Sequence, residues 1–408
     1  MSASSHENIS KNRNSTGCTI VSRNYFGYAK TLRESFLSNN PDSDFYILIV
    51  DLKDPEFFID HEINVIWVED LEIKNFLSYA MRYDILELNT NVKPTFLLNL
   101  ISKYEKVVYI DPDIKIYRKL DIIFDRLENY SIVLTPHIVS PINDDMKPGE
   151  VDFLICGQFN LGFIGVNNDK NSIKMLRWWE NRCLEQGYNE PSRGLFVDQK
   201  WINLVPCLFD NVFIEKSLGC NMAYWNLHER RLIWKDNIWL VNSNEPLYFF
   251  HFSGLDLSNT EQISKYQNRF DLNNRSDLVE LFSDYRFNLD RNNHTNYQKI
   301  KYSFARFKNG KLISSVARRL YSISEHDNLD PFDSSGDFYK FCLVKRLFSI
   351  EGVSKNYNSY NVNQNDIRLK VIRFLLKILH KILGVDRYQM LLKYLIYISS
   401  IRNQRDVF

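Results

Sequence analysis

The sequence predicts an α/β fold in which a mixed, mostly parallel sheet carries helices on both faces, followed by a largely helical C-terminal extension. Strand and helix patterns alternate along the first part of the chain, as they do in parallel sheets. Its strand patterns are short, continuous apolar runs, which are typical of strands buried on both faces. Near the end, the segment 366-385 has the periodicity of an amphipathic helix.

The predicted elements follow one another with short connections. The first three strands are expected at "CTIVS", "DFYILIVD" and "NVIWV", and the helix between the first two at "YFGYAKTLRESFLSNN". A helix from Lys93 to Tyr104 leads into the apolar run 107-110. Beyond it we expect a short helix from Leu120 to Leu127, a strand at 131-135, a long loop from Pro136 to Gly157, a strand at 159-168 and then a helix.

Length and composition limit the class of protein. The 408 residues suffice for two domains, or for one large domain with additions. The net charge of +1 gives no overall basic field, so we expect no nucleic-acid partner. The six cysteines form no C-x-x-C pair and no apolar stretch has the length of a membrane span, so we expect reduced thiols and a cytoplasmic protein.

Changes in composition along the chain suggest four regions. The first residues are polar and rich in Ser and Asn, which is typical of a flexible tail. Beyond about residue 270 the chain becomes more charged and richer in Asn. We therefore expect a tail at 1-16, a main α/β domain at 17-270, an accessory region at 271-350 and a C-terminal amphipathic helical region at 351-408.

Two carboxylates stand directly after the strand at 107-110, in "YIDPDI". In open α/β sheets, ligands bind beyond the carboxyl ends of such strands. Asp111 and Asp113 are two residues apart, so in an extended backbone both side chains point to the same side and can reach one cation. Such a pair suits Mg²⁺ or Mn²⁺ carrying phosphate oxygens. The alternative is a polar strand end whose carboxylates cap a turn.

Four segments occur in a characteristic order over about 150 residues: "YIDPDI", "FNLGFIG", "VDQKWIN" and "FHFSG". Together they resemble the D-x-D, N-x-G, D-Q and H-x-x-G motifs of nucleotide-sugar glycosyltransferases of the GT-A (Rossmann-like) fold, particularly glycosyltransferase family 8 and related bacterial enzymes. One departure concerns the Lys-Pro-Trp that follows H-x-x-G in family 8 and has no counterpart here. Lys265, the nearest basic residue, is a candidate replacement as a phosphate contact.

The resemblance implies roles for the residues of the four motifs. Asp111 would contact nucleotide and metal, while Asp113 and His251 would be further metal ligands. Two carboxylates and one imidazole suit Mn²⁺ slightly better than Mg²⁺. By the same resemblance, other residues lie beside the donor sugar, namely Asn160, Gly162, Asp198 and Gln199. Asp198 and Gln199 are expected at the anomeric centre, and the alternative role for Asp198 is the N-cap of the following helix.

The beginning of the fold also resembles the family, at the position where base and ribose bind. The candidates there are Thr19, Val21, Asn24 and Tyr25, with Tyr25 able to stack on the base. Lys93 stands where related enzymes have a lysine, and could contact the donor. It could equally be a solvated surface residue.

The C-terminal segment "DIRLKVIRFLLKILHKILGV" has a basic stripe and an apolar stripe. Lys370, Lys377 and Lys381 belong to the basic one. Such a helix either lies on an anionic membrane or packs its apolar stripe on the rest of the protein.

The motifs together indicate a metal-dependent glycosyltransferase using Mn²⁺ or Mg²⁺. The resemblance implies a nucleotide-sugar donor, most often UDP-linked, retention of anomeric configuration, and a glycan or lipid-linked acceptor. Two other classes remain open. One is a non-catalytic sugar-binding or scaffold protein of the same fold. The other is a phosphatase of the haloacid dehalogenase type, in which the first Asp of D-x-D is the nucleophile.

Overall fold

The structure, a computed structural model, describes residues 14-324, 330-351 and 367-404. These residues divide into two compact units. The first unit takes in the chain up to Ile73 and Ile85–Tyr302, and the second takes in Lys74–Asp84 and the chain from Ser303 onward. Most of the predicted tail lies outside the described residues, and the predicted domain limits at 270 and 350 stay predictions.

The strands in the described residues form four sheets. Their bounds are β1 Ser15–Val21, β2 Asp44–Ile49, β3 Asn64–Trp67, β4 Lys106–Ile110, β5 Ile114–Ile116, β6 Ile132–Pro136, β7 Phe159–Asn167, β8 Asn189–Glu190, β9 Leu195–Phe196, β10 Val212–Ile214, β11 Met222–Ala223, β12 Leu232–Lys235, β13 Ile238–Val241, β14 Glu245–Pro246 and β15 Phe249–His251. The first strand thus begins at Ser15, inside the range predicted as tail.

The helices in the same residues are α1 Phe26–Asn39, α2 Phe76–Arg82, α3 Ile85–Asn91, α4 Lys93–Ile101, α5 Asp121–Arg126, α6 Glu150–Cys156, α7 Lys170–Gln186, α8 Gln199–Ile202, α9 Val205–Leu208, α10 Val279–Arg291, α11 His294–Tyr297, α12 Ser315–Tyr321, α13 Asp337–Val344 and α14 Ile367–Ser399. Helix α6 lies inside the segment 136-157, which we expected to be a loop. The backbone N–H of Gly149 donates to the carboxylate of Asp152 (2.8 Å), which stabilises the first turn.

The main sheet has seven strands in the order β10-β6-β7-β4-β1-β2-β3. All neighbouring pairs are parallel except the two that involve β7, which runs antiparallel to β4 and β6. The predicted fold class, a mixed and mostly parallel sheet with a helical C-terminal region, is confirmed. Because β7 is reversed, its first residues lie at the edge where β4 and β1 end.

Helices cover this sheet on both sides. Val108 and Ile110 of β4 belong to a buried apolar cluster that includes Phe26 and Phe36 of α1. Successive residues of a strand point to opposite faces, so Tyr109 faces the other way. There the Lys93 ammonium of α4 lies 4.2 Å from the centre of the Tyr109 ring.

Close packing of α1 on the sheet requires a glycine in β1. A Cβ at Gly17 would lie 2.7 Å from the Phe36 ring and 2.8 Å from the Phe45 ring. The other side of α1 contacts α10 and its C-terminal end, where Asn292 donates a hydrogen bond to Thr31 (3.1 Å). Because α10 and the residues after it pack on α1, the first unit includes the chain as far as Tyr302.

The second unit is built around the guanidinium group of Arg318 in α12. This group is buried and donates hydrogen bonds to carbonyls at the end of α2, those of Ala80, Met81 and Tyr83, and to the carbonyl of Phe304 in the short 3-10 helix Ser303–Ala305. Guanidinium groups satisfy the last carbonyls of a helix well, because those carbonyls lack partners within the helix.

Helix α14 of the second unit contains the predicted segment 366-385 from Ile367 onward and continues to Ser399, interrupted at Gly384 (φ 72°, ψ 169°). Its apolar stripe is exposed rather than packed on the described protein, with Phe374 63% and Ile382 74% accessible. Among the described residues, no helix has the length and apolar character needed to cross a membrane.

Candidate active site

The carboxyl end of β4 and the third residue of β15 meet through strand pairing. The chain leaves β4 at Ile110, passes Asp111 and Asp113, and enters β5, which pairs with β15 so that Ile114 lies opposite His251. The backbone N–H of Phe252 donates to the carbonyl of Asp113 (2.8 Å). Two motifs about 140 residues apart in the sequence are thereby brought side by side.

These three side chains form a cluster suited to a metal ion. Ligand atoms of Asp111, Asp113 and His251 all lie within 4.8 Å of one another. His251 Nε2 lies 2.9 Å from Asp113 Oδ1 and 3.8 Å from Asp111 Oδ2. Adjacent ligands of an octahedral ion with bonds of about 2.1 Å are about 3 Å apart, so the cluster fits Mg²⁺ or Mn²⁺ with little rearrangement.

The electrostatics of the cluster also favour a cation. Burial raises the pKa of Asp111, although Lys93 and His251 favour its charged form. Burial lowers the pKa of His251, but the neighbouring Asp113 and Asp111 outweigh it, so the net pKa lies above the usual value. The carboxylate pair thus favours the protonated imidazole, and a divalent cation bound by the same three side chains would compensate the carboxylate charge in place of that proton.

The absence of a side chain at Gly162 leaves room for the His251 ring. A Cβ at Gly162 would lie 2.5 Å from His251 Cε1 and 2.7 Å from Asn160 Oδ1. The Asn160 side chain is fixed in turn, because its Oδ1 accepts from the backbone N–H of Gly162 (3.2 Å) and from Asn221 Nδ2 (3.0 Å). Both residues of the N-x-G motif are therefore buried beside the imidazole, and their contact with a donor sugar stays a prediction.

Lys93 and Asp198 form a buried ion pair behind the cluster. The Lys93 Nζ lies 2.6 Å from Asp198 Oδ2, and both side chains are at most 3% exposed. Lys93 also donates to the carbonyl of Leu161 (2.8 Å). It is therefore not the surface lysine that we considered, and Asp198 makes no side-chain N-cap bond to α8. Burial raises the pKa of Asp198, and Lys93 opposes that shift.

Gln199 links three segments around the cluster. Its Oε1 accepts from the backbone N–H of Leu161 (3.0 Å) in β7, and its Nε2 donates to the carbonyl of Cys156 (3.1 Å) at the end of α6. The side chain is thus held by β7 and α6. The predicted roles of Asp198 and Gln199 at the anomeric centre stay predictions, since both side chains are buried.

A cleft of about 430 Å³ opens in front of the cluster. Seven of the predicted site residues line it: Val21, Asn24, Tyr25, Asp111, Asp113, His251 and Lys265. The other six are buried around it and are not among its lining residues: Thr19, Lys93, Asn160, Gly162, Asp198 and Gln199. The sequence motifs therefore divide into a lining set and a supporting set, a distinction that the sequence did not provide.

Several lining or supporting residues were missed by sequence reasoning. The Tyr109 hydroxyl donates to Asp111 Oδ1 (2.6 Å). It stands two residues before Asp111, so the same alternation that pairs Asp111 with Asp113 could have found it. Tyr266, next to Lys265, lines the cleft, as do Leu86 and Asn89 of α3. No local pattern distinguishes these three from ordinary surface or core residues.

The fold and the site together define a mixed α/β protein with a candidate metal centre at the carboxyl edge of its main sheet. No family profile matches the chain. Two Bacillus subtilis proteins, both described as uncharacterized, are similar in sequence. YfnF is 31% identical over 258 residues, which cover 61% of this chain and 84% of YfnF. YfnD is 28% identical over 248 residues, which cover 59% and 77%. The chain belongs to the same family as YfnF.

Several solved structures that resemble the chain are described as glycosyltransferases. The galactosyltransferase LgtC, in complex with donor and acceptor sugar analogues, has a TM-score of 0.41 at 14% identity, covering 67% of this chain and 95% of LgtC. GlyE of Streptococcus pneumoniae has a TM-score of 0.39 at 16% identity, with coverages of 72% and 66%. Because these TM-scores are below 0.5, the superposition is loose and the choice of an activity depends on the site itself.

Proposed function

We propose that this protein transfers a sugar from a nucleotide diphosphate donor, with a divalent cation held by Asp111, Asp113 and His251. The observation that carries the proposal is the convergence of these three ligands in the lining of the 430 Å³ cleft. Mn²⁺ or Mg²⁺ bound there would stabilise the negative charge that develops on the diphosphate as the bond to the sugar breaks.

Two residues that line the cleft are suited to contact the base and the phosphates of the donor. Tyr25 stacks on Tyr28 with ring centres 4.9 Å apart and also contacts the His294 ring, and with 45% of the residue exposed in the cleft its ring is a candidate to stack on a base. Lys265 lines the same cleft and supplies a cation for phosphate oxygens. We propose UDP as the nucleotide, by the resemblance of the motifs.

The supporting residues keep the site in place during the reaction. Lys93 compensates the charge of Asp198, while Asn160 and Gln199 hold the start of β7 beside His251. Transfer with retention of configuration is proposed from the motifs alone. The acceptor is proposed to be a glycan or a lipid-linked sugar, and the protein to work in the cytoplasm.

Calorimetric titration with a set of nucleoside diphosphates, with and without Mn²⁺, tests this function. We expect metal-dependent binding of one nucleotide to the native chain and its loss in Asp113→Asn. Slow hydrolysis of the corresponding nucleotide sugar, dependent on the same metal, would separate an enzyme from a scaffold. A hexosyl group is the sugar class to test first.

The two alternatives predict different results. A scaffold of the same fold would bind the nucleotide or sugar without hydrolysing it. A phosphatase would release inorganic phosphate from a phosphate monoester and lose this activity in Asp111→Asn, the nucleophile variant. Absence of nucleotide binding under every condition would contradict the glycosyltransferase proposal.

A further inference from the structure

Helix α14 presents an exposed apolar stripe along its first half. Its members recur at intervals of three and four residues, so they align along one side of the helix. Each is between 41% and 75% exposed, and they are Ile367, Val371, Phe374, Leu375, Ile378 and Ile382. An apolar surface of this kind on a helix that otherwise faces water costs free energy unless something covers it.

A row of lysines flanks this stripe. Lys370, Lys377 and Lys381 each precede a stripe residue by one position, which places them about 100° of helix rotation to one side. Long lysine side chains beside an apolar stripe can keep their ammonium groups at the water boundary while the stripe enters an apolar phase. All three lysines are exposed.

The part of the helix beyond Gly384 also exposes apolar and aromatic side chains. Tyr394 and Tyr397 are 61% and 63% exposed, and Leu395 and Ile396 are 49% and 70% exposed. Tyrosines are enriched at the boundary between lipid and water. The ring of Tyr388 contacts that of His380, with centres 5.3 Å apart, so the two parts of α14 touch across the glycine.

The net charge of the segment that contains α14 indicates what kind of surface covers the apolar stripe. Residues 367-404 hold eight Lys and Arg and one Asp, a formal charge of +7, whereas the whole chain carries +1. A second copy of α14 would bring like charges together, while an anionic lipid surface complements them. Nucleic acid would complement the charge and leave the apolar stripe in water.

We propose that α14 lies on an anionic membrane surface, with its apolar stripe among the lipid headgroups and chains and its lysines on the lipid phosphates. The helix rests in the plane of the interface and does not span the bilayer. This inference is independent of the proposed catalytic function, since no residue of the cleft takes part in it.

Co-sedimentation of the full chain with vesicles tests the proposal. We expect binding to vesicles of phosphatidylcholine containing phosphatidylglycerol to exceed binding to phosphatidylcholine alone by at least tenfold, and to weaken in high salt. Replacing Lys370, Lys377 and Lys381 by Glu should lower the affinity for anionic vesicles about 100-fold or more.

Two further variants distinguish binding through α14 from a general effect of the net charge of the protein. The triple replacement of Lys119, Lys170 and Lys299 by Glu makes the same change in net charge on exposed lysines of the first unit, and should retain binding. Replacing Phe374, Ile378 and Ile382 by Ser should weaken binding while the charge is unchanged. Far-ultraviolet circular dichroism of each variant checks that its helix content is kept.

Several results would overturn the proposal. One is equal binding of the native chain to neutral and anionic vesicles, or no binding to either. Another is equal loss in the two lysine variants. A third is a dimer of the native chain, in the absence of lipid, that the serine variant dissociates, because a second copy would then cover the stripe.

Discussion

Lys93 Nζ and Asp198 Oδ2 lie 2.6 Å apart in a region where both side chains are almost fully buried. Removing one member of a buried pair leaves the other charge without compensation, which costs about 3–5 kcal/mol. We therefore expect Lys93→Met to lower the free energy of unfolding by this amount. The double variant Lys93→Met, Asp198→Asn should recover part of the loss. Urea unfolding of the native chain, Lys93→Met, Asp198→Asn and the double variant measures this coupling, and strictly additive costs would show that the two residues are not coupled.

Gly162→Ala should displace the His251 ring, because the new Cβ would lie 2.5 Å from His251 Cε1. We expect a 10-fold to 100-fold loss of Mn²⁺ affinity, the range typical of changes that disturb the orientation of a metal ligand. Overpacking should also cost about 1–3 kcal/mol of stability. The control is Gly165→Ala in the same strand, whose Cβ would meet Leu127 Cδ1 at 3.3 Å, away from the metal cluster. Equal Mn²⁺ affinities in the two variants would contradict the role given to Gly162.

Lys265→Met should weaken binding of a nucleoside diphosphate about tenfold, because an exposed ammonium that contacts phosphate contributes roughly 1–2 kcal/mol. Binding of the free nucleoside and of Mn²⁺ alone should change little. Separate isothermal titrations with nucleoside, nucleoside diphosphate and Mn²⁺ measure the three affinities independently. Lys299→Met, an exposed lysine that does not line the cleft, is the matched control. An equal loss for nucleoside and diphosphate would indicate that Lys265 contacts no phosphate.

His137 should make the protein less stable in acid. Burial lowers the pKa of His137 to about 4, so the folded state keeps the ring neutral while the unfolded state takes up a proton near the usual value of 6.5. Stability is then fully present above about pH 6.5 and falls as the pH decreases from there toward 4. Between pH 7 and pH 5 this one group should remove about 2 kcal/mol.

The measurement for His137 is the difference in unfolding free energy between the two pH values, in the native chain and in His137→Gln. The variant should show a smaller fall, since it has no group to protonate at this position. His61→Gln, at a side chain that is 93% exposed, controls for a histidine outside the core. A pH dependence unchanged in His137→Gln would show that His137 does not cause the acid sensitivity.

The sequence by itself determined six of the seven strands of the main sheet, all but β10, and which residues stand at its carboxyl edge. Apolar runs such as 107-110 and their order along the chain depend on local pattern, and the placement of Asp111 and Asp113 follows from strand alternation. The resemblance of the four motifs to those of glycosyltransferase family 8 implied that Asp111, Asp113 and His251 belong to one site.

The tertiary structure decided how that site is supported. His251 reaches the carboxylates because β15 pairs with β5, and the register of two distant strands is not encoded in either one alone. Lys93 is buried because the face of α4 that carries it packs against Tyr109 of β4. The packing of α4 on the sheet, and not the sequence around Lys93, therefore decides its burial. The insertion of Lys74–Asp84 into the second unit likewise depends on Arg318, which is more than 230 residues away in the chain. Contacts at such separations depend on the free energy of the whole fold, so no local pattern predicts them.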